Sequence, residues 1–206
     1  MDTAFLITGF VTLFVIMDPI GLAPIFVALT QGMSPEKRRA IAIRACVTSG
    51  LLLSLFAIFG EAVLGFVGIS MPAFRIAGGI LLFLTALDML FQRRTKRRED
   101  QAEEEDHADD PSIFPLAIPL IAGPGSIATV ILLAGQQPGF GGLSMVLAIM
   151  LVVLLISMAL FLSAGLLERA LGKTAINVIT RLLGMLLAAL SVQFVLDGLK
   201  AFGFTG

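Results

Sequence analysis

The stretch Met17-Asp18-Pro19-Ile20-Gly21-Leu22-Ala23-Pro24-Ile25-Phe26 places a carboxylate, two prolines and a glycine inside apolar sequence that runs from Phe5 to Leu29. Proline lacks the amide proton and clashes with the preceding turn, so a helix through Pro19 and Pro24 is broken or kinked. Asp is a favoured N-cap and Pro a favoured first helical residue, so Asp18-Pro19 reads as the start of a second half-helix. A second stretch, Pro119-Leu120-Ile121-Ala122-Gly123-Pro124-Gly125-Ser126-Ile127-Ala128-Thr129, repeats the device about 105 residues later, with Gly123 as the cap before Pro124.

Such breaks have a chemistry of their own. Open carbonyls on the incoming piece and open amides on the outgoing one carry roughly half a charge each, of opposite sign. Two breaks facing each other offer an anion site beside a cation site. A zwitterion such as a free amino acid fits that pattern. Its carboxylate would lie on amides near Gly21, Gly125 and Ser126, and its ammonium near carbonyls and Asp18. Ser126 and Thr129, one helical turn apart, could add hydroxyl contacts. Glycines at 21, 123 and 125 let a small ligand approach the backbone closely. The plainer alternative is that Asp18 only caps its helix and the prolines only kink the chain.

Four further charged residues fall within or beside apolar segments. Arg75 and Arg181 read either as interfacial anchors with snorkelling side chains or as gate residues that pair with acids in one state. Glu61 and Asp88 are candidate partners or proton carriers. Gly60, Gly65, Gly78 and Gly79 read as close helix packing. His107, the single histidine, lies in a charged run, and Cys46 is the single cysteine, so neither a disulfide nor a metal cluster is expected. No cofactor is implied.

The elements that position these residues follow from composition. The 206 residues are 57% hydrophobic and 14% charged, against the roughly 25% charged usual for a soluble domain. Mean hydropathy is +0.99. Apolar blocks of about 20 residues match the length that crosses a bilayer. Six spans are expected, at 4–29 (interrupted), 45–68, 73–91, 113–135 (interrupted), 142–166 and 178–199. The start lacks a basic n-region and a cleavage site, so the first block reads as a retained span. Trp and Tyr are absent, which removes the usual interfacial aromatic belt. No basic stripe points to nucleic acid.

Ser34-Pro35 reads as the cap of a short helix at the membrane surface, and 68–72 and 136–139 as turns. The segment from Gln92 to Pro111 holds a basic run and then eight of the fifteen acids, and reads as a mobile linker. Residues 168–177 read as the last connection. With the N-terminus outside, 12 of the 14 Lys and Arg fall on inner connections, leaving only Arg75 and Lys200 beyond. The positive-inside bias therefore predicts both termini outside and the linker inside.

The two halves are related. Arg75-x-x-Gly78-x-x-Leu81-x-x-Leu84-Thr85 recurs as Arg181-x-x-Gly184-x-x-Leu187-x-x-Leu190-Ser191, and Glu61-x-x-Leu64-Gly65 as Glu168-x-x-Leu171-Gly172, at offsets of 105 to 107 that match Pro19 and Pro124. Three spans per repeat put the second half upside down. The expected fold is thus an all-α membrane protein of two inverted three-helix repeats, 1–91 and 113–206, joined by the linker 92–112. Its first and fourth helices would be interrupted at the midplane. Paired breaks in corresponding spans are the sequence pointer to a transporter binding site.

Asp18-Pro19-Ile20-Gly21-Leu22-Ala23-Pro24-Ile25-Phe26, taken with Ala122-Gly123-Pro124-Gly125-Ser126-Ile127-Ala128-Thr129, resembles the MarC family of bacterial and archaeal membrane proteins, also called the neutral amino acid transporter family. The six-span layout and the charged linker match as well, so the resemblance covers essentially the whole chain. It implies a plasma-membrane carrier for small neutral amino acids such as glycine and alanine, proton-coupled, with unwound segments in the first and fourth spans, while the inverted repeats point to alternating access. The family's first motif often begins with Asn where this chain has Asp18, which leaves the generality of proton coupling open. Two other classes compete. Gly123-Pro124-Gly125-Ser126 superficially resembles a nucleophile turn, but the serine has no histidine in the spans to serve as base. An intramembrane lipid-phosphate phosphatase would instead use Glu61 with Arg75. The third reading is a scaffold without transport, and oligomeric state is not legible.

Overall fold

In a computed structural model the chain is described over residues 3–93 and 110–203. Most of the charged linker therefore lies outside the described residues, and so does His107.

Helix α1 (Thr3–Met17) is apolar on all sides and ends two residues before Pro19. Asp18 takes left-handed dihedrals (φ 53°, ψ 61°), and α2 (Pro19–Leu29) resumes at once. Helical bonding holds on both flanks. The Asp18 amide donates to the Phe14 carbonyl at 2.9 Å, and the Leu22 amide to the Asp18 carbonyl at 3.0 Å. The break is one residue wide.

Ser34 caps the next helix as the sequence predicts, accepting from the Lys37 amide at 3.3 Å with Pro35 at the first position. The expected short surface helix is not separate, however. It is the first part of α3, a continuous helix of 33 residues, Pro35–Val67. Charge suggested a boundary near Arg44, but Arg, Ala and Ile are adequate helix formers and no proline intervenes. Gly68 (φ 83°) ends α3, and the Ile69 amide closes onto the Leu64 carbonyl at 2.9 Å. That six-to-one bond requires a left-handed residue, which glycine supplies. Ser70 then caps α4 (Met71–Leu90).

The second broken stretch is less regular than expected. Segment α5 (Ser112–Ile121) has extended dihedrals at Phe114 and Ile118, each preceding a proline through a cis bond. A residue before proline is pushed out of the helical region, so Pro115 and Pro119 prevent a regular half-helix. Wide turns replace it, with the Leu116 amide on the Pro111 carbonyl at 3.2 Å and the Ala122 amide on the Ala117 carbonyl at 2.9 Å. Helix α6 (Pro124–Gln136) leaves at 56° to this segment. Helix α7 (Phe140–Leu162) follows a turn at Gly139 (φ 99°).

The connection expected at 168–177 is helical and kinks at Gly172, just before the membrane-length stretch Thr174–Phe202. α8 (Ala164–Phe202) runs through it and is interrupted only at Gly172 (φ 68°, ψ 162°). The Glu168 side chain, matched to Glu61 by the repeat, lies outside the described side chains.

Five helical stretches are long and apolar enough to cross a membrane, namely Thr3–Leu29, Pro35–Val67, Met71–Leu90, Phe140–Leu162 and Thr174–Phe202, and the bent α5–α6 pair makes up to six. No strand occurs among the described residues. The described residues are all-helical, with the span lengths of a multi-pass membrane protein.

Glycines set the closest helix crossings. A Cβ on Gly79 of α4 would lie 2.8 Å from the Ser191 carbonyl oxygen of α8, one on Gly184 of α8 2.9 Å from Met89 Cβ of α4, and one on Gly198 3.1 Å from the Pro72 carbonyl oxygen. Rising along α4 thus means falling along α8, so the two run antiparallel. Elsewhere α3 packs on α5 and α6, α7 on α1 and α2, α4 on α6, and α8 on α2.

Candidate functional site

Asp18 is 1% exposed, and its Oδ1 accepts from the Gly21 amide at 3.1 Å. Asp18 therefore caps α2. Gly21 is required by that arrangement, because a Cβ there would run into the Asp18 carboxylate. Pro19 and Leu22 are buried beside it, while Pro24 is half-buried. The end of the motif is also held. The buried Phe26 ring stacks on Phe161 of α7, centroids 5.0 Å apart, and the Arg38 guanidinium of α3 lies over it at 5.8 Å.

In the second stretch the Ser126 hydroxyl donates to the Ile121 carbonyl at 2.8 Å, which closes the last carbonyl of α5. The Thr129 hydroxyl donates to the Gly125 carbonyl at 2.8 Å. Both hydroxyls, expected as ligand contacts, are turned onto their own backbone in this conformation, where each retains lone pairs to accept. A Cβ on Gly123 would sit 2.6 Å from the Pro119 carbonyl oxygen, so this glycine serves the bend itself. Pro124 is exposed.

The two stretches meet. A Cβ on Gly125 would lie 2.8 Å from Ile16 Cδ1, and Ile16 is two residues before Asp18. Leu82 of α4 borders the same spot at 3.8 Å. The close approach that glycine permits is thus filled by a side chain of the other break. Ile16 was not singled out from sequence, because nothing local marks one apolar residue of α1 above the rest.

Glu61 and Arg181 are exposed, and Arg75 is half-buried. Nε of Arg75 is buried without a hydrogen-bond partner, and among the described residues no ion pair joins Arg75 to Glu61. The structure instead pairs Arg44 of α3 with Asp110, 2.6 Å apart, just before α5. Burial alone would raise the Asp110 carboxyl, but hydrogen bonds from Ser112 and the charges of Arg44 and Lys37 outweigh it and hold it below the ordinary carboxylate range. That pair went unread in the sequence because its members belong to different connections.

The model of the MarC family integral membrane proteins matches residues 3–202. This chain belongs to the MarC family. A UPF0056 membrane protein of Aquifex aeolicus is 40% identical over 200 residues, covering 94% of this chain and 92% of its own. UPF0056 membrane protein YvbG of Bacillus subtilis is 36% identical, with 97% and 96% covered. UPF0056 inner membrane protein YhgN of Escherichia coli K12 is likewise 36% identical, with 95% and 96% covered. No solved structure matches the chain. MarC membership and the spans together make it an integral, multi-pass membrane protein.

Proposed function

We propose that this MarC-family chain is a secondary carrier for small neutral amino acids of the glycine and alanine kind, coupled to protons and working by alternating access. The observation that carries the reading is the junction of two helix breaks at Ile16 and Gly125, beside an Asp18 that is 1% exposed. A buried carboxylate in a membrane span is costly unless it has a task. On this reading the substrate ammonium pairs with the carboxylate, and a translocated proton is carried on it as the neutral acid. In this conformation Ile16 occupies the space over Gly125, so binding requires the two breaks to part. Movement of one repeat against the other would provide that opening.

The inverted arrangement is part of the proposal, with repeats 1–91 and 113–206 either side of the linker 92–112. It draws support from packing. Exchanging the first three spans for the last three turns the contacts of α3 with α5 and α6 into those of α7 with α1 and α2, and the contact of α4 with α6 into that of α8 with α2. Both termini outside, Arg75 and Arg181 as gate residues and Glu61 as a proton carrier belong to the same reading.

The test is counterflow of labelled alanine in vesicles reconstituted with the purified chain. Accumulation against unlabelled alanine is expected, with uptake increased by an inward proton gradient. Release of phosphate from a prenyl phosphate, without counterflow, would replace the carrier by a phosphatase. Neither signal would leave a scaffold.

A further inference from the structure

Beyond α4 the chain turns at Gln92, whose φ of 58° is unusual for a residue other than glycine. The antiparallel α8 continues past this end. Between them lies an open cleft of about 150 Å³ lined by Gln92, Thr174, Asn177, Val178 and Arg181. Four of these five carry polar groups. Thr174, Asn177, Val178 and Arg181 follow one another at spacings of three, one and three, so they share one face of α8. Gln92 closes the cleft from the side of α4.

The chemistry of the lining is that of an anion site. A guanidinium, two carboxamides and a hydroxyl supply donors, and among the described residues Arg181 has no ion pair. Arg93 adds a second cation next to Gln92, its guanidinium 5.7 Å above the Phe91 ring. The nearest acid along α4, Asp88, is one turn earlier and has an interaction of its own. The volume admits a tetrahedral oxyanion, and the cleft is open to the groups attached to it.

The surroundings say which oxyanion. Phe91 is 64% exposed, and Val178, Leu182, Met185 and Leu186 are 51–53% exposed down the same end of α4 and α8. A polar, basic cleft at the rim of an apolar face matches a lipid, headgroup above and acyl chains below. Twelve of the fourteen basic residues belong to the same side by the positive-inside reading, where anionic lipid headgroups attract Lys and Arg. We infer that Gln92, Thr174, Asn177 and Arg181 form a binding site for the phosphate of an anionic phospholipid, whose chains lie against Val178, Leu182 and Met185. Arg181 is the principal ligand, since a guanidinium matches phosphate oxygens two at a time. The site is separate from the helix breaks, and its test does not depend on transport.

The experiment is native mass spectrometry of the full chain in detergent, titrated with phosphatidylglycerol, phosphatidylcholine or inorganic phosphate. One phosphatidylglycerol should be retained on the wild-type protein, with phosphatidylcholine held at least tenfold more weakly. Arg181→Gln and Asn177→Leu should each weaken phosphatidylglycerol about tenfold, the equivalent of 1.4 kcal/mol, while Arg181→Lys loses less. Arg181 is exposed and Asn177 half-buried at the cleft, so neither change enters the core, and a thermal melt of each variant checks that packing holds. Equal retention of the two lipids would overturn the assignment, as would unchanged retention by Arg181→Gln. Displacement of phosphatidylglycerol by inorganic phosphate at equal concentration would overturn it in favour of a free-phosphate site.

Discussion

Asp18 caps a helix, and the carrier reading gives it a second task; one substitution separates the two. Its carboxylate caps α2 through the Gly21 amide, and asparagine can accept the same bond and tolerates left-handed dihedrals. Asp18→Asn should therefore fold with a melting temperature close to wild type. On the carrier reading it loses gradient-driven accumulation of alanine but keeps exchange, and unaltered accumulation would reduce Asp18 to a cap. Asp18→Ala removes the cap and strains the backbone, with an expected stability loss of roughly 1–2 kcal/mol. Asp110 gives a pH dependence. Its carboxyl titrates below the ordinary range when folded, so its stabilisation is present above that range and disappears as pH falls through the folded value. Wild type and Asp110→Asn should differ in melting temperature at pH 7 and converge in acid. The difference should be small, below about 1 kcal/mol, since the pair with Arg44 is solvent-facing. Asp18-Pro19 was legible because cap and first helical residue are neighbours in the chain. Ile16 over Gly125 was not, because shape complementarity between distant apolar residues leaves no local mark.

At the scale of helices, the α4–α8 crossing is where a methyl group matters most. Gly79 faces the backbone oxygen of Ser191, and Gly184 faces Met89 Cβ and, at 3.3 Å, the Ala86 carbonyl oxygen. Backbone cannot yield as a side-chain tip can, so the helices must part. Gly79→Ala and Gly184→Ala should each cost roughly 1–3 kcal/mol in detergent unfolding. Gly65→Ala, with nothing near its Cβ position, is the control expected to be neutral. Gly78 was legible as a packing residue from small-residue spacing, and it does face Leu132 of α6. The extent of α3 was not legible, since a cluster of Lys and Arg reads as a connection by charge while remaining compatible with helix by propensity. Residues 168–177 were legible as a connection, but their helical form on either side of the Gly172 kink was not, for the same reason. In α5 the error ran the other way. Two prolines four residues apart removed more helix than one kink would.

For the whole molecule, the orientation rests on basic residues alone, and labelling can decide it. In a Cys46→Ser background, a cysteine at Gly139 should react with an impermeant thiol reagent on intact cells, and one at Ala102 should not. The reverse would invert the topology and move the phosphate cleft to the outer surface. The helix α3 carries a different consequence. Thirty-three residues at 1.5 Å each make a rod of about 50 Å, against about 30 Å of hydrocarbon. Even when tilted it overshoots, and the excess falls at its basic start, where Lys37, Arg38 and Arg39 precede the Arg44–Asp110 pair. That pair stands near the waterline. A thicker bilayer lifts low-dielectric material toward it and strengthens the attraction, and a thinner one leaves it in water. The depth of the surrounding lipid thus becomes a dial on how firmly the start of α5 is moored to α3.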